Sequence, residues 1–185
     1  MASALSIYGD VLLNCITSTV TLTNPFADNR HLSTKGIWDT GATNSVITRS
    51  SAQQLGLVPI SRAVVNGVHG SREVNVYYVR IRLNDQIGLE TQVTECEELS
   101  PDLSIGMLIG MNVIMLGDFS ITNFDNRTVM SFVVPSQRKT DFVAEINEYN
   151  RFLKIHESRI KVGNNLCPCG SKKQWNNCHG KKTFR

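Results

Sequence analysis

No apolar run in this 185-residue chain approaches the roughly 20 residues that span a bilayer, so no membrane helix is expected. Met1 to Tyr8 has no basic residue and no long apolar run, and does not read as a secretory signal. Leu12-Leu13-Asn14-Cys15 is a poor lipoprotein cleavage site, because Asp10 precedes it and Asn14 is large and polar. The chain shows no internal repeat and no low-complexity stretch. Cysteine is scarce and odd in number: of the five, Cys15 and Cys96 stand far apart and three crowd into residues 167–178. That distribution argues against a disulfide framework. It predicts two buried thiols, a metal site and a reducing cytoplasm. Acid is missing from residues 161–185, which carry six cations, while the whole chain is only +3. A mildly acidic body with a basic tail fits an anionic partner for the tail, and equally well lysines that keep a metal site soluble.

An apolar content of 41% and a charged content of 19% describe a globular chain, long enough for one domain and a small appendage. Residues 11–133 read as β-rich. Thr19 to Thr23 alternates apolar and hydroxyl residues, Val74 to Leu83 alternates over most of its length, and Ile87 to Val93 repeats the pattern. Phe119–Thr122 and Val129–Val133 flank Asn123-Phe124-Asp125-Asn126-Arg127, a hairpin turn by composition. Two short helices are expected, Ser50–Leu55 stopped by Gly56 and Met111–Leu116 stopped by Gly117. After Pro135, Phe142, Ile146, Tyr149, Leu153 and His156 recur at three and four residues. They predict an amphipathic helix over about residues 140–157, with Thr140 or Asp141 as its N-cap. Gly163-Asn164-Asn165 then breaks the chain.

The stretch richest in chemistry is Asp39-Thr40-Gly41-Ala42, between apolar Gly36-Ile37-Trp38 and Ser45-Val46-Ile47. Peptide hydrolysis without a metal or a nucleophilic side chain needs an activated water. One ionised carboxylate can take the water's proton while a second, protonated carboxyl polarises the scissile carbonyl. Two carboxyls about 3 Å apart cannot both ionise, so they share a proton. Asp39 would supply the carboxylate. Thr40 carries a hydroxyl that can bond across a symmetric turn, Gly41 permits close backbone approach, and Ala42 leaves room for substrate. The tripeptide occurs once, so an enzyme of this kind must be a homodimer. The bland alternative is a polar turn after a strand.

In this context the sequence resembles the retropepsin-like aspartic proteases over roughly residues 15–134, a single-lobe length. Trp38-Asp39-Thr40-Gly41-Ala42 resembles the catalytic turn, and Gln54-Leu55-Gly56-Leu57 the short helix after it. Asn66-Gly67-Val68-His69-Gly70-Ser71 resembles the tip of the flap that closes over substrate. Leu108-Ile109-Gly110-Met111-Asn112-Val113-Ile114 resembles the segment packed beside the catalytic turn. The resemblance implies a mainly β fold, a closed-barrel lobe with short helices. It implies catalytic Asp39, Thr40 and Gly41, and substrate contacts from Ala42, Gly67, Val68, His69 and Gly70. By its residue type alone His69 reads more simply as a solvated tip residue. Two departures stand out: Thr43 where viral members usually carry an acid, and Met111 where they usually carry an arginine. Both remove polar groups that tie the viral dimer and cleft together.

Cys167-Pro168-Cys169, eight residues, then Cys178-His179 offers three thiolates and one imidazole. That is a complete tetrahedral set for structural Zn²⁺, with no position left for water. So small a fragment needs the metal to fold. A redox cysteine pair is the plainer alternative. The run Cys167 to Gly180 resembles the SEC-C zinc motif at the C-terminus of bacterial SecA. The resemblance implies a targeting module for ribosomal or acidic protein partners, and a bacterial source. Trp175 is either a packing residue of that module or an exposed anchor.

The expected organisation is a protease lobe at 11–135, a linker helix at 138–162 and a zinc knuckle at 163–185. The expected function is an aspartic endopeptidase acting on peptide or protein substrates as a cytoplasmic homodimer. The alternative is a non-catalytic dimeric scaffold or peptide-binding protein directed by its zinc motif.

Overall fold

The alternation in the sequence becomes strands because each apolar set finds one interior. The computed structural model describes residues 1–27, 30–67, 70–101, 104–160, 166–167, 171–174 and 177–178, with 154–160 described by backbone alone. In chain order the elements are β1 (Ser3–Tyr8), β2 (Thr17–Thr23), β3 (His31–Trp38), β4 (Val46–Thr48), α1 (Arg49–Gln54), β5 (Ser61–Gly67), β6 (Gly70–Arg82), β7 (Gly88–Cys96), β8 (Ile105–Ile109), α2 (Met111–Ile114), β9 (Asp118–Thr122), β10 (Val129–Val134) and α3 (Phe142–Ile160). They fall into two units, Met1–Arg138 and Lys139–Arg185.

In the first unit one sheet runs β2-β3-β8-β4-β7-β6-β5, and β2 also pairs with β6. Six strands therefore close into a barrel, and β5 is left outside the ring. This is the mainly β, closed-barrel class with short helices that the sequence predicts. Val20 and Leu22 of β2, Val79 and Ile81 of β6, and Ile47, Val93, Met107 and Ile109 point into the barrel and are essentially inaccessible to water. The intervening Thr and Arg positions face outward, the period-two signature of a sheet with one buried face.

A second sheet, in the order β1-β10-β9, carries Met130 and Phe132 into the same core. The Trp38 ring stacks on Phe119 at 5.5 Å and tilts against Phe132 at 5.2 Å. Strand β1 takes the lobe back to Ser3, upstream of the residue 11 at which the sequence pattern begins. Its partner β10 lies over a hundred residues away, from Ser3↔Val134 to Tyr8↔Val129, a pairing no local pattern announces.

The short helices fall as expected. Thr48 caps α1 through its side chain, which accepts from Ser51 N, and Gly56 follows the helix at φ +60. Asn24 closes the other end, its amide donating to Leu55 O and Gly56 O at 3.1 Å. The turn between β9 and β10 places Asp125 and Asn126 in the left-handed region (φ 54 and 58), as hairpin turns of this composition do.

The two isolated cysteines are not the buried pair the sequence suggests. Cys15 is exposed in the loop before β2, and Cys96 is only half-buried, at the end of β7. Each ends up where the chain leaves the barrel.

The second unit begins with α3, which has 19 residues and lies two to three residues farther along the chain than its periodicity predicts. Asp141 caps it, Oδ1 accepting from Ala144 N at 3.1 Å. Phe142, Val143 and Ile146 on its first turns are exposed. Farther on, Leu166 and Gln174 form an antiparallel bridge, with Cys167 N donating to Lys173 O at 2.6 Å. No described helix is long and apolar enough to cross a membrane.

Candidate active site

Asp39 leaves the end of β3, beside its parallel neighbour β8. The backbone fixes it first. Asp39 N donates to Ile109 O at 3.0 Å, and the chain then reverses, with Ala42 N reaching Asp39 O at 3.4 Å. The side chain is fixed by the turn itself, because Gly41 N donates to Asp39 Oδ1 at 2.8 Å. Asp39 is half-exposed and Thr40 and Gly41 are exposed. The carboxylate is thus held through one oxygen by the backbone of its own turn. Thr40 has no side-chain hydrogen bond to a described residue of its own chain.

Beneath the turn lies a polar clamp that sequence reading missed. Ser45 is fully buried. Its backbone N and its hydroxyl both donate to Asn112 Oδ1 at 2.8 Å, and the hydroxyl accepts from Gly110 N at 3.0 Å. Asn112 Nδ2 in turn reaches Thr91 Oγ1 at 3.3 Å. Backbone bonds from Met111 N to Ala42 O (2.8 Å) and from Asn112 N to Thr43 O (3.1 Å) complete the seam. A serine and an asparagine tie this seam. Their sequence signal was present, a polar pair inside two apolar segments, each needing a partner when buried.

Gly110 is required by the close approach. A Cβ there would sit 2.5 Å from Asn44 O and 2.9 Å from Ala42 O, both backbone atoms.

The other predicted substrate contacts lie on the hairpin β5–β6. Gly67 and Gly70 face each other across its end, and Gly70 has φ +102. Ser71 Oγ donates to Asn66 Oδ1 at 2.6 Å just behind them. Val68 and His69 lie outside the described residues. Among the described residues no hydrogen bond joins this end to the Asp39 turn.

At the root of the hairpin is a second buried polar cluster, also missed from the sequence. The Glu95 carboxylate accepts from Arg49 Nε at 3.1 Å on one oxygen, and from Asn75 Nδ2 at 3.2 Å and the Tyr77 hydroxyl on the other. Burial pushes the Glu95 carboxyl up. The bonds from Tyr77, Asn75 and Arg49 outweigh it and hold the group below its ordinary value. Burial, followed by the bond to Glu95, raises the Tyr77 hydroxyl. Next to them, burial and then the charges of Glu95 and Glu97 push the Cys96 thiol up to about 11, so it stays protonated at neutral pH. A cleft of about 430 Å³ opens between the hairpin and β4/β7, with Val46, Val65, Arg72, Val74, Thr94 and Cys96 among its walls.

Of the predicted zinc ligands, Cys167 is buried and Cys178 half-buried, with Ser171 Oγ 3.3 Å from Cys178 Sγ. Cys169 and His179 lie outside the described residues.

Residues 27–113 match the family model for aspartyl proteases. That span runs from just before β3 to the end of α2. It takes in the Asp39 turn, the hairpin and the Gly110–Asn112 seam, so the part of the chain that carries the site is aspartyl-protease-like. Among solved structures the chain is similar to a retropepsin-like aspartic protease from Rickettsia conorii, at 14% identity over 72% of this chain and 96% of that one, TM-score 0.44. It is similar to the EIAV protease in an inhibitor complex at 18% identity, over 56% and 91% of the two chains, TM-score 0.42. It is also similar to the retroviral protease-like domain of Ddi1 from Leishmania major at 18% identity, over 61% and 91%, TM-score 0.40. No curated protein matches the chain.

Proposed function

We propose that the chain is a retropepsin-like aspartic endopeptidase that works as a homodimer, with Asp39 of each copy forming the catalytic pair. The observation that carries this reading is the Asp39 turn. Its carboxylate is oriented by Gly41 N, stands half-exposed at the end of a buried strand, and is buttressed by the Ser45–Asn112 clamp. The aspartyl protease match over residues 27–113 supports it. One such turn per chain supplies one carboxylate, and the chemistry needs two.

In the reaction, the ionised Asp39 takes a proton from water as the water oxygen bonds to the scissile carbonyl carbon. The protonated Asp39 of the other copy gives its proton to the carbonyl oxygen. Collapse of the tetrahedral intermediate breaks the C–N bond, and the leaving nitrogen takes up a proton from the dyad. No covalent enzyme intermediate forms. Thr40 bonds across the paired turns, and Ala42 and the Gly67–Gly70 end of the hairpin, with Val68 and His69, border the substrate.

In the same reading Cys167, Cys169, Cys178 and His179 hold a structural Zn²⁺. The buried Cys167 thiol, with its backbone N tied to Lys173 O, suits such a ligand. The ion folds a basic docking module for ribosomal or acidic protein partners in a reducing cytoplasm, and takes no part in hydrolysis.

The test is to incubate the full chain and its Asp39→Asn form with a mixed peptide library between about pH 3.5 and 7, where a shared-proton pair is singly ionised. Cleavage by the wild type alone is expected. Equal inactivity of two verified dimers would overturn the enzyme reading in favour of a dimeric scaffold.

A further inference from the structure

The geometry points to Glu95 as a positioning residue that sets the angle of the β5–β6 hairpin over the Asp39 turn. The inference rests on the reading of that hairpin as the moving cover of the site.

The register locates a pivot. Strand β5 pairs only with β6, from Ser61↔Val76 to Gly67↔Gly70. Strand β6 gains its second neighbour, β7, only from Val76↔Thr94 onward. Residues 61–67 and 70–75 therefore leave the barrel as a two-stranded ribbon, and such a ribbon has little stability of its own. Its side chains agree: Val64 is 67% exposed, and the Arg62–Glu73 ion pair joins two exposed groups. The fork lies between Asn75 and Val76.

Glu95 sits at that fork, opposite Asn75, with its side chain turned to the barrel interior among Asn75, Tyr77 and Arg49. Each carboxylate oxygen has a separate task. One takes Asn75 and Tyr77, which straddle the fork on β6. The other takes Arg49, the first residue of α1, whose Nη1 also meets Glu97 at 2.8 Å. Helix α1 follows β4 directly, and β4 is the strand that leaves the Asp39 turn. One buried carboxylate thus links the hairpin root to the segment that carries the catalytic turn. A buried carboxylate is costly to hold unless its oxygens are filled by donors. Here three side chains fill them, whereas Tyr77 and an apolar residue at 95 would pack the same space with no directional tie.

Hydrogen exchange of the full chain tests this without needing turnover. In Glu95→Gln, a carboxamide NH₂ must face either the Arg49 or the Asn75 donors. Backbone amides of residues 61–66 and 70–75 are expected to exchange about tenfold faster, with β2 and β3 unchanged. Tyr77→Phe, which keeps the ring and removes one donor, should give a smaller change in the same segment. On any peptide the wild type cleaves, Glu95→Gln should raise KM more than it lowers kcat. Unchanged hairpin exchange in both variants would overturn the inference. So would acceleration spread evenly over the barrel, which marks Glu95 as merely a stability residue. If the protein proves inactive but the hairpin alone loosens, the positioning tie stands and the protease reading fails.

Discussion

The Asp39 turn and the β5–β6 hairpin face the same chemistry with opposite mechanics. Around the turn several backbone groups are tied to the barrel: Asp39 N on Ile109 O, Met111 N on Ala42 O, Asn112 N on Thr43 O. Even the side-chain clamp beneath it is buried, with Ser45 wholly enclosed. The hairpin beyond Asn75 has one ladder, exposed valines and a surface ion pair. A hydrolytic site needs a carboxylate that does not move and a cover that does. On the proposed reading the chain meets both needs, with the Asp39 turn tied to β8 of the closed barrel and the hairpin strand β5 outside the ring.

Substitutions can break this contrast from either side. The largest effect falls on chemistry: Asp39→Asn should lower peptide cleavage by about a thousandfold or more, while the melting temperature of this half-exposed site stays close to that of the wild type. Next comes Gly110→Ala, whose Cβ would strike Asn44 O at 2.5 Å. Backbone on both sides must shift, and equilibrium unfolding should register a loss of about 3 kcal/mol. Asn112→Ala leaves the Ser45 amide and hydroxyl without their acceptor. Denaturant melts should show about 2 kcal/mol lost, with activity falling further than stability explains. On the hairpin, Val64→Ser should change stability by less than about 0.5 kcal/mol, since a 67% exposed side chain has little burial to lose.

A pH series sharpens the boundary between the two regions. Glu95 is held below the ordinary carboxylate value, so its contribution is full above the unfolded pKa of about 4.3 and is lost as pH falls through the lower folded value. The groups around it are Arg49 from α1, Asn75 and Tyr77 from β6, Cys96 next to it on β7, and Glu97 just beyond the strand's end. Wild type should therefore be more stable than Glu95→Gln at neutral pH, with the gap closing below about pH 4. Asp118, held low by Ser136 Oγ and by the backbone amides of Gln137 and Arg138, acts alike in both proteins and leaves that gap unchanged. A gap independent of pH would show that the Gln variant perturbs packing and not charge.

Much of the site was legible because its residues are contiguous. Asp39 to Ala42 is a local turn, and the local sequence already contains the glycine whose N–H orients the carboxylate. The turn between β9 and β10 was legible for the same reason, alternation followed by turn residues; of the hairpin, alternation marked only β6, and its end was read from the family resemblance. The clamp and the hinge were not. Ser45 and Asn112 are 67 residues apart, and Glu95 draws on Arg49, Asn75 and Tyr77 at separations of 46, 20 and 18. Cys15 and Cys96 misled for a related reason: apolar neighbours suggest burial, but both fall where the chain turns out of the barrel.

The sequence by itself marked half of the strands, β2, β6, β7, β9 and β10, through period-two alternation, and the candidate nucleophile-activating carboxylate, through a turn that dictates its own geometry. Only the tertiary structure decided which strands close the ring and which one stays outside it. Register between distant strands is set by which apolar faces fit one interior, and that sum over the whole barrel is written in no single segment.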